Sequence, residues 1–156
     1  MMGKKATKLK QTKLQVSREE ELFVNLMRTT EALRWRTAEL LKDYDLSGVQ
    51  YNTLRILRGA GEEGLSWSEI SERLITKDSD ITRLLERMEN RGFIARERDA
   101  NDRRHIITKI TDKGLEVLAE IDGPMTEVHK RQLGHLGDSL IEQLNALLVL
   151  ARSQAK

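Results

Sequence analysis

The sequence predicts a mainly α fold (α+β) in which several helices accompany a single β-hairpin. Apolar residues recur at three- and four-residue steps over most of the chain, two serine-led helix starts lie close together, and one pair of short segments alternates with period two. The 156 residues suffice for one ordinary domain with its own core. We therefore expect a single domain over 17–156, preceded by a disordered basic tail over 1–16.

Composition excludes several classes of protein. The chain has no cysteine, which excludes disulfides and thiolate metal sites. It lacks both an apolar run of the about 18 residues that a membrane span needs and an N-terminal secretory signal, so we expect a cytoplasmic protein with no membrane partner. The net charge of +2 alone does not indicate nucleic acid. Five lysines in the first thirteen residues are either a loose arm on phosphates or a solubilising tail.

Long amphipathic helices are expected at both ends of the domain. The first runs from Arg18 to about Leu41. After the central segment, Thr111 can cap a helix that we expect to kink or break at 122–124, because Pro124 removes a backbone hydrogen bond. The last helix carries a stripe of leucines that needs burial. We expect dimerisation helices at about 18–42 and 112–152.

The central segment, about 46–110, begins with three short helices. Ser47 and Ser66 each have Gln or Glu three residues later, the pattern of a capping box at a helix start. The first helix should stop at 59–61, the second is short, and the third should begin near 76–78 and end at Gly92. The second and third helices, joined by only two residues, match a helix-turn-helix.

A β-hairpin should follow, with strands over 93–98 and 105–110 and a polar loop over 99–104. A charged hairpin directly after a helix-turn-helix is a wing, and arginines on a narrow projection suit the minor groove of DNA. The alternative is an exposed hairpin whose charges keep it soluble. The order of elements therefore predicts a winged helix-turn-helix.

Three segments together resemble the MarR family of bacterial regulators: DITRLLERMENRGFI over 80–94, DRR over 102–104 and ITDKG over 110–114. The resemblance extends from about Ser17 to the end of the chain. It implies a homodimer built by the first and last two helices, with the recognition helix in the major groove and the wing in the minor groove. The implied function is sequence-specific binding of a pseudo-palindromic double-stranded operator by a repressor that a small aromatic or anionic ligand releases, without a cofactor.

The DNA-contacting residues that the resemblance implies lie at the start of the recognition helix and in the wing. Asp102 resembles the family aspartate that braces the wing tip and Arg104 the arginine that enters the minor groove, although Arg103 can exchange roles with it. Asp78 or Asp80 can accept from cytosine or cap the helix, and we favour the cap for Asp78 because phosphate repels an unpaired carboxylate. The complete predicted set is Lys77, Ser79, Asp80, Thr82, Arg83, Arg98, Asp102, Arg103 and Arg104.

Family relatives bind small aromatic anions in a cleft between the dimer layer and the DNA-binding part. Four residues of this chain are expected to line such a cleft: Trp35, Arg36, Tyr51 and Arg55. In the alternative interpretation Trp35 belongs to the interface core and the arginines are solvated or paired. Ile75 departs from the small residue that many relatives have in the turn.

Other chemistry is not expected. The three histidines have neither an i,i+4 pair nor a cysteine companion, which argues against a metal site. No Gly-rich phosphate loop, activated serine or paired carboxylates occur at useful spacing, so the chain is not expected to be an enzyme. The alternative function is a dimeric protein-interaction module that keeps the winged-helix fold without specific DNA binding, which Asp78 and Asp80 would favour.

Overall fold

The computed structural model describes residues 16–76, 80–99 and 105–153. Its chain divides into two compact units, 1–32 and 33–156, and the first helix belongs to both. The helices are α1 (Arg18–Lys42), α2 (Gly48–Ala60), α3 (Trp67–Arg73), α4 (Ile81–Asn90), α5 (Asp112–Leu133) and α6 (Gly137–Ser153), and the strands are β1 (Leu65–Ser66), β2 (Ile94–Arg98) and β3 (Ile106–Ile110). The predicted mainly α fold is confirmed, whereas the single domain over 17–156 stays a prediction.

Capping boxes start α2 and α3, as the sequence predicts. The Ser47 hydroxyl accepts from the Gln50 N–H at 3.2 Å, while the Gln50 side chain accepts from the Ser47 N–H at 2.9 Å. Ser66 and Glu69 repeat the arrangement at 3.4 and 2.8 Å. These hydrogen bonds satisfy backbone donors that a helix start leaves unpaired. Hydrogen bonds from Ser66 to the Glu69 carboxylate also hold its pKa below the usual value.

The sheet has the strand order β1-β3-β2, and both pairings are antiparallel. Strands β2 and β3 form the predicted hairpin, with Ile94 opposite Ile110 and Arg98 opposite Ile106. Strand β1 has only two residues and was not predicted, because the sequence there shows a helix start and no alternation. It joins the beginning of α3 to β3, with Leu65 opposite Thr108 and Ser66 opposite Ile107.

The recognition helix α4 begins later than the sequence predicts. Its first residue is Ile81, and the Asp80 side chain caps it by accepting from the Arg83 N–H at 3.3 Å. The prediction of a start at 76–78 is therefore wrong, and the connection from α3 is longer than two residues. The extended backbone of Leu74 (φ −62°, ψ 134°) ends α3. The helix closes as expected, before Gly92 at φ +76°.

Helix α5 continues through Pro124, so the predicted break at 122–124 is wrong. A proline at this position leaves the Glu120 carbonyl without its helical N–H partner. The Tyr44 hydroxyl donates to that carbonyl at 3.4 Å. Ile121 and Met125, on either side of the proline, are buried in the core. A substitute donor and apolar burial thus offset the lost backbone hydrogen bond.

The hydrophobic core lies within the unit 33–156. Helix α4 contributes Ile81, Leu84, Leu85 and Met88, and α5 contributes Leu118, Ile121 and Met125. Helix α6, in contrast, buries none of its residues. No helix in the described ranges has the length and apolar character required to cross a membrane.

Candidate DNA-binding surface and ligand cavity

Helix α4 presents one apolar and one polar face. Its four core residues face inward, and Thr82 and Arg83 are exposed at its N-terminal end. A guanidinium nitrogen of Arg83 lies 3.1 Å from the Asp80 carboxylate, but the Arg83 side chain is 80% exposed. Such an exposed pair contributes little to stability and separates easily. Arg83 is therefore free to exchange this carboxylate for a DNA phosphate or base.

Several predicted DNA contacts fall where the structure gives no description. Lys77 and Ser79, together with the alternative cap Asp78, lie outside the described residues, and so do three residues of the wing loop, Asp102, Arg103 and Arg104. Arg98 is described as the exposed last residue of β2. The structure therefore locates Asp80 at the N-cap of α4, Thr82 and Arg83 in its first turn, and Arg98 on the wing.

An ion pair that the sequence does not reveal fixes the wing to the recognition helix. The Arg96 guanidinium on β2 contacts the Glu89 carboxylate on α4 through two nitrogens, at 2.5 and 2.7 Å. The Arg96 side chain is only 25% exposed, which reduces solvent screening of the pair. No local pattern links a helix residue to a strand residue seven positions later. The pair orients the wing relative to α4.

The base of the wing is also joined to α5. The Thr111 hydroxyl donates to the Gly92 carbonyl at 2.6 Å and accepts from the Gly114 N–H at 3.2 Å as the cap of α5. The Lys113 ammonium donates to the Arg91 carbonyl at 2.7 Å. These contacts give the ITDKG segment a structural role. These hydrogen bonds connect the end of α4 and the base of the wing to the start of α5.

A cavity of about 400 Å³ opens between α1, α2 and α5 within the unit 33–156. Tyr51 and Arg55, two of the predicted ligand residues, line it, and the Arg55 guanidinium lies 5.8 Å from the centre of the Tyr51 ring. Trp35 and Arg36 are not among the lining residues, and they stack on each other at 4.9 Å. The wall further includes Arg34, Thr37, Asn52, Ile75 and His129.

An ion pair also joins α2 to α5. Two nitrogens of Arg58 donate to the two carboxylate oxygens of Asp122 at 2.7 and 3.1 Å. The hydrogen bond from Arg58 lowers the pKa of Asp122, and the same contact raises the pKa of Arg58. A single sequence gives no signal for a pair 64 residues apart. In the described ranges no cluster of three or more His, Asp or Glu side chains could hold a metal ion.

This geometry defines the class of the protein: a winged helix-turn-helix of the kind found in transcriptional regulators. Comparison with known proteins gives the family. The model of the MarR family matches residues 46–106. The repressor MdtR of Bacillus subtilis is 31% identical over 115 residues, 73% of this chain and 73% of MdtR. A MarR transcription factor from Planctomyces limnophilus is 36% identical, with a TM-score of 0.66 over 86% of this chain and 97% of that structure.

The chain therefore belongs to the MarR family. Members of this family are transcription regulators and not enzymes, so the expectation of a regulator is confirmed. The regulator TtmR of Methylorubrum extorquens is 39% identical over 83 residues, but this match spans only 42% of its length. The comparisons give no support to the alternative of a protein-interaction module.

Proposed function

We propose that this protein is a homodimeric repressor that binds a pseudo-palindromic double-stranded DNA operator and is released by a small aromatic or anionic ligand. The observation that carries the proposal is the exposed polar start of α4, with Arg83 held only by a solvent-exposed pair, next to a wing braced on the same helix. Cytoplasmic location is part of the proposal because the partner is DNA.

The DNA contacts divide into two groups by mechanism. Thr82 and Arg83 at the start of α4 suit the major groove, where a guanidinium can donate to guanine O6 and N7 or to a phosphate. Asp80 caps the helix and orients Arg83 rather than reading a base. Lys77 and Ser79 belong to the same proposed surface. The proposed wing contacts are Arg98, Asp102, Arg103 and Arg104, with the arginines supplying electrostatic affinity in the minor groove.

The homodimer is proposed from exposed apolar side chains on two helices. On α1, Leu22, Phe23 and Met27 are each more than half exposed. On α6, Leu140, Leu144, Leu147 and Leu150 are exposed, and no residue of that helix is buried. Exposed apolar side chains along a helix are unfavourable in water and mark an interface. A second copy covers the exposed side chains of each helix by two-fold symmetry, which also matches a pseudo-palindromic operator.

The ligand is proposed for the cavity between α1, α2 and α5. Its volume of about 400 Å³ is within the range of small-molecule sites, about 300 to 1,000 Å³. Tyr51 offers an aromatic face and Arg34 and Arg55 offer cations, a combination that suits an aromatic carboxylate. Trp35 and Arg36 lie outside this wall, so we omit them from the proposed site.

Binding to duplex DNA tests the proposed function. A duplex selected in vitro by the protein and a scrambled duplex should be compared by fluorescence anisotropy at 50 and 200 mM salt. We expect the selected duplex to bind at least about 1,000-fold more tightly, with binding to both duplexes weaker at the higher salt. Equal affinity for the two duplexes would contradict sequence-specific binding. Adding salicylate, as a representative aromatic anion, should weaken the complex if the cavity is the ligand site.

A further inference from the structure

The turn that precedes the recognition helix is held by a side chain of another helix. The Oδ1 atom of Asn52 on α2 accepts a hydrogen bond from the backbone N–H of Ile75 at 3.0 Å. This turn begins where the extended backbone of Leu74 ends α3. The Ile75 side chain is 85% exposed, so packing of that side chain does little to hold the turn. The hydrogen bond that the Ile75 N–H donates to Asn52 therefore holds the backbone at Ile75, which the exposed Ile75 side chain does not.

Asn52 is well suited to hold a turn because its own helix is fixed in the core. Leu54 and Leu57 of α2 are fully buried, and Thr53, also fully buried, donates through its hydroxyl to the Val49 carbonyl at 2.8 Å. Asn52 itself is half-buried, which restricts the rotamers available to its carboxamide. A rigid helix thus presents a fixed acceptor to an otherwise exposed stretch of backbone.

We infer that Asn52 is a positioning residue for DNA recognition. By fixing the turn at Ile75, it sets the position from which α4 enters the major groove, although Asn52 is not on the recognition helix. This inference rests on the proposed DNA-binding function. Asn52 and Ile75 both line the cavity proposed for the ligand, so the hydrogen bond that positions the turn lies in the wall of that site.

Three variants separate this role from a general effect on stability. Asn52→Leu removes the acceptor oxygen, and the leucine side chain is similar in size to that of asparagine. Asn52→Asp keeps an oxygen that can accept from the Ile75 N–H. The matched control is Thr126→Val on α5, which also removes one hydroxyl group. The exposed Thr126 hydroxyl donates to the Asp122 carbonyl at 2.8 Å, and Thr126 is not a wall residue of the cavity.

Two readouts are needed, and the first does not involve DNA. Amide hydrogen exchange of Ile75, followed by NMR, should be about tenfold faster in Asn52→Leu than in the parent protein, because an unpaired N–H exchanges freely. The second readout is the ratio of affinities for the in vitro selected and scrambled duplexes. This ratio should fall about 3- to 10-fold in Asn52→Leu, the effect of losing one net hydrogen bond. Asn52→Asp should restore both readouts, and Thr126→Val should match the parent.

The outcomes distinguish the inference from the proposed function. If Ile75 exchanges equally fast in parent and Asn52→Leu, the hydrogen bond does not hold the turn and the inference is wrong. It is also wrong if exchange accelerates while the affinity ratio is unchanged, or if both duplexes lose affinity equally. A parent protein that binds both duplexes equally would instead overturn the proposed DNA recognition, and with it the role of Asn52 in reading DNA. The exchange measurement would still decide whether Asn52 holds the turn.

Discussion

Replacing Gly114 by alanine sets two effects of opposite sign against each other. In an exposed helix, alanine is about 1 kcal/mol more favourable than glycine. Gly114, however, lies in the first turn of α5 against the base of the wing, where an added Cβ would be 2.4 Å from the Phe93 carbonyl oxygen and 2.7 Å from a side-chain carbon of Ile110. The Phe93 oxygen cannot move freely because it accepts from the Thr111 N–H at 3.1 Å. The clash should therefore outweigh the gain in helix propensity.

Overpacking of a well-packed site costs about 1 to 3 kcal/mol, and we expect the upper value where the obstacle is backbone. After subtracting the gain in propensity, Gly114→Ala should lower the free energy of unfolding by about 2 kcal/mol, or the melting temperature by about 4 to 8 °C. Thermal unfolding at fixed protein concentration measures this change.

The matched control is Gly59→Ala on α2. An added Cβ there meets nothing within 4 Å, so this variant should be as stable as the parent protein or slightly more stable. A Gly114→Ala variant as stable as Gly59→Ala would refute the close packing of α5 on the wing.

Three further predictions concern DNA binding, charge and assembly. Arg104→Ala should weaken binding to every duplex and reduce the slope of log affinity against log salt concentration by about one. Arg83→Ala should cost about 1 to 3 kcal/mol of binding free energy on the selected duplex and less on other duplexes. Lys8→Ala should change binding little, and salt titrations of the three variants compare these effects. Asp122→Asn should cost at most about 1 kcal/mol at pH 7, since its ion pair is more than one-third exposed. Because folding lowers the pKa of this carboxyl, denaturant titrations should show the difference shrinking as pH falls below about 3.9. Leu147→Glu on exposed α6 should give a folded monomer of 17.9 kDa by light scattering, and a persistent dimer would argue against α6 as the interface.

Local features of this chain could be predicted from the sequence because they depend on nearby residues. The capping boxes at Ser47 and Ser66, the Thr111 cap and the hairpin each involve side chains and backbone groups close along the chain. Their energetics are local, so a pattern of a few residues suffices. The order of these elements predicts a winged helix-turn-helix, and the MarR-like segments then indicate the family.

The errors arose where distant residues decide the outcome. Proline predicts a break in α5, but the Tyr44 hydroxyl, far away in sequence, supplies a donor to the orphaned carbonyl. A start of α4 at 76–78 was plausible from local capping signals, yet the structure uses Asp80. The Asn52 contact and the Arg58–Asp122 pair likewise depend on how α2 packs. Two of the four predicted ligand residues, Tyr51 and Arg55, line the cavity. The ligand site itself stays a prediction.

The central claim is that a homodimer reads two DNA half-sites through its two recognition helices. It is tested most directly by changing the spacing of those half-sites in the selected duplex. Two-fold symmetric proteins of this type read half-sites about one helical turn apart, roughly 34 Å or 10 base pairs. Inserting five base pairs between the half-sites turns the second half-site to the opposite side of the duplex, so we expect anisotropy titrations to show at least about tenfold weaker binding. Unchanged affinity for the duplex with the insertion would contradict simultaneous reading of two half-sites by a dimer.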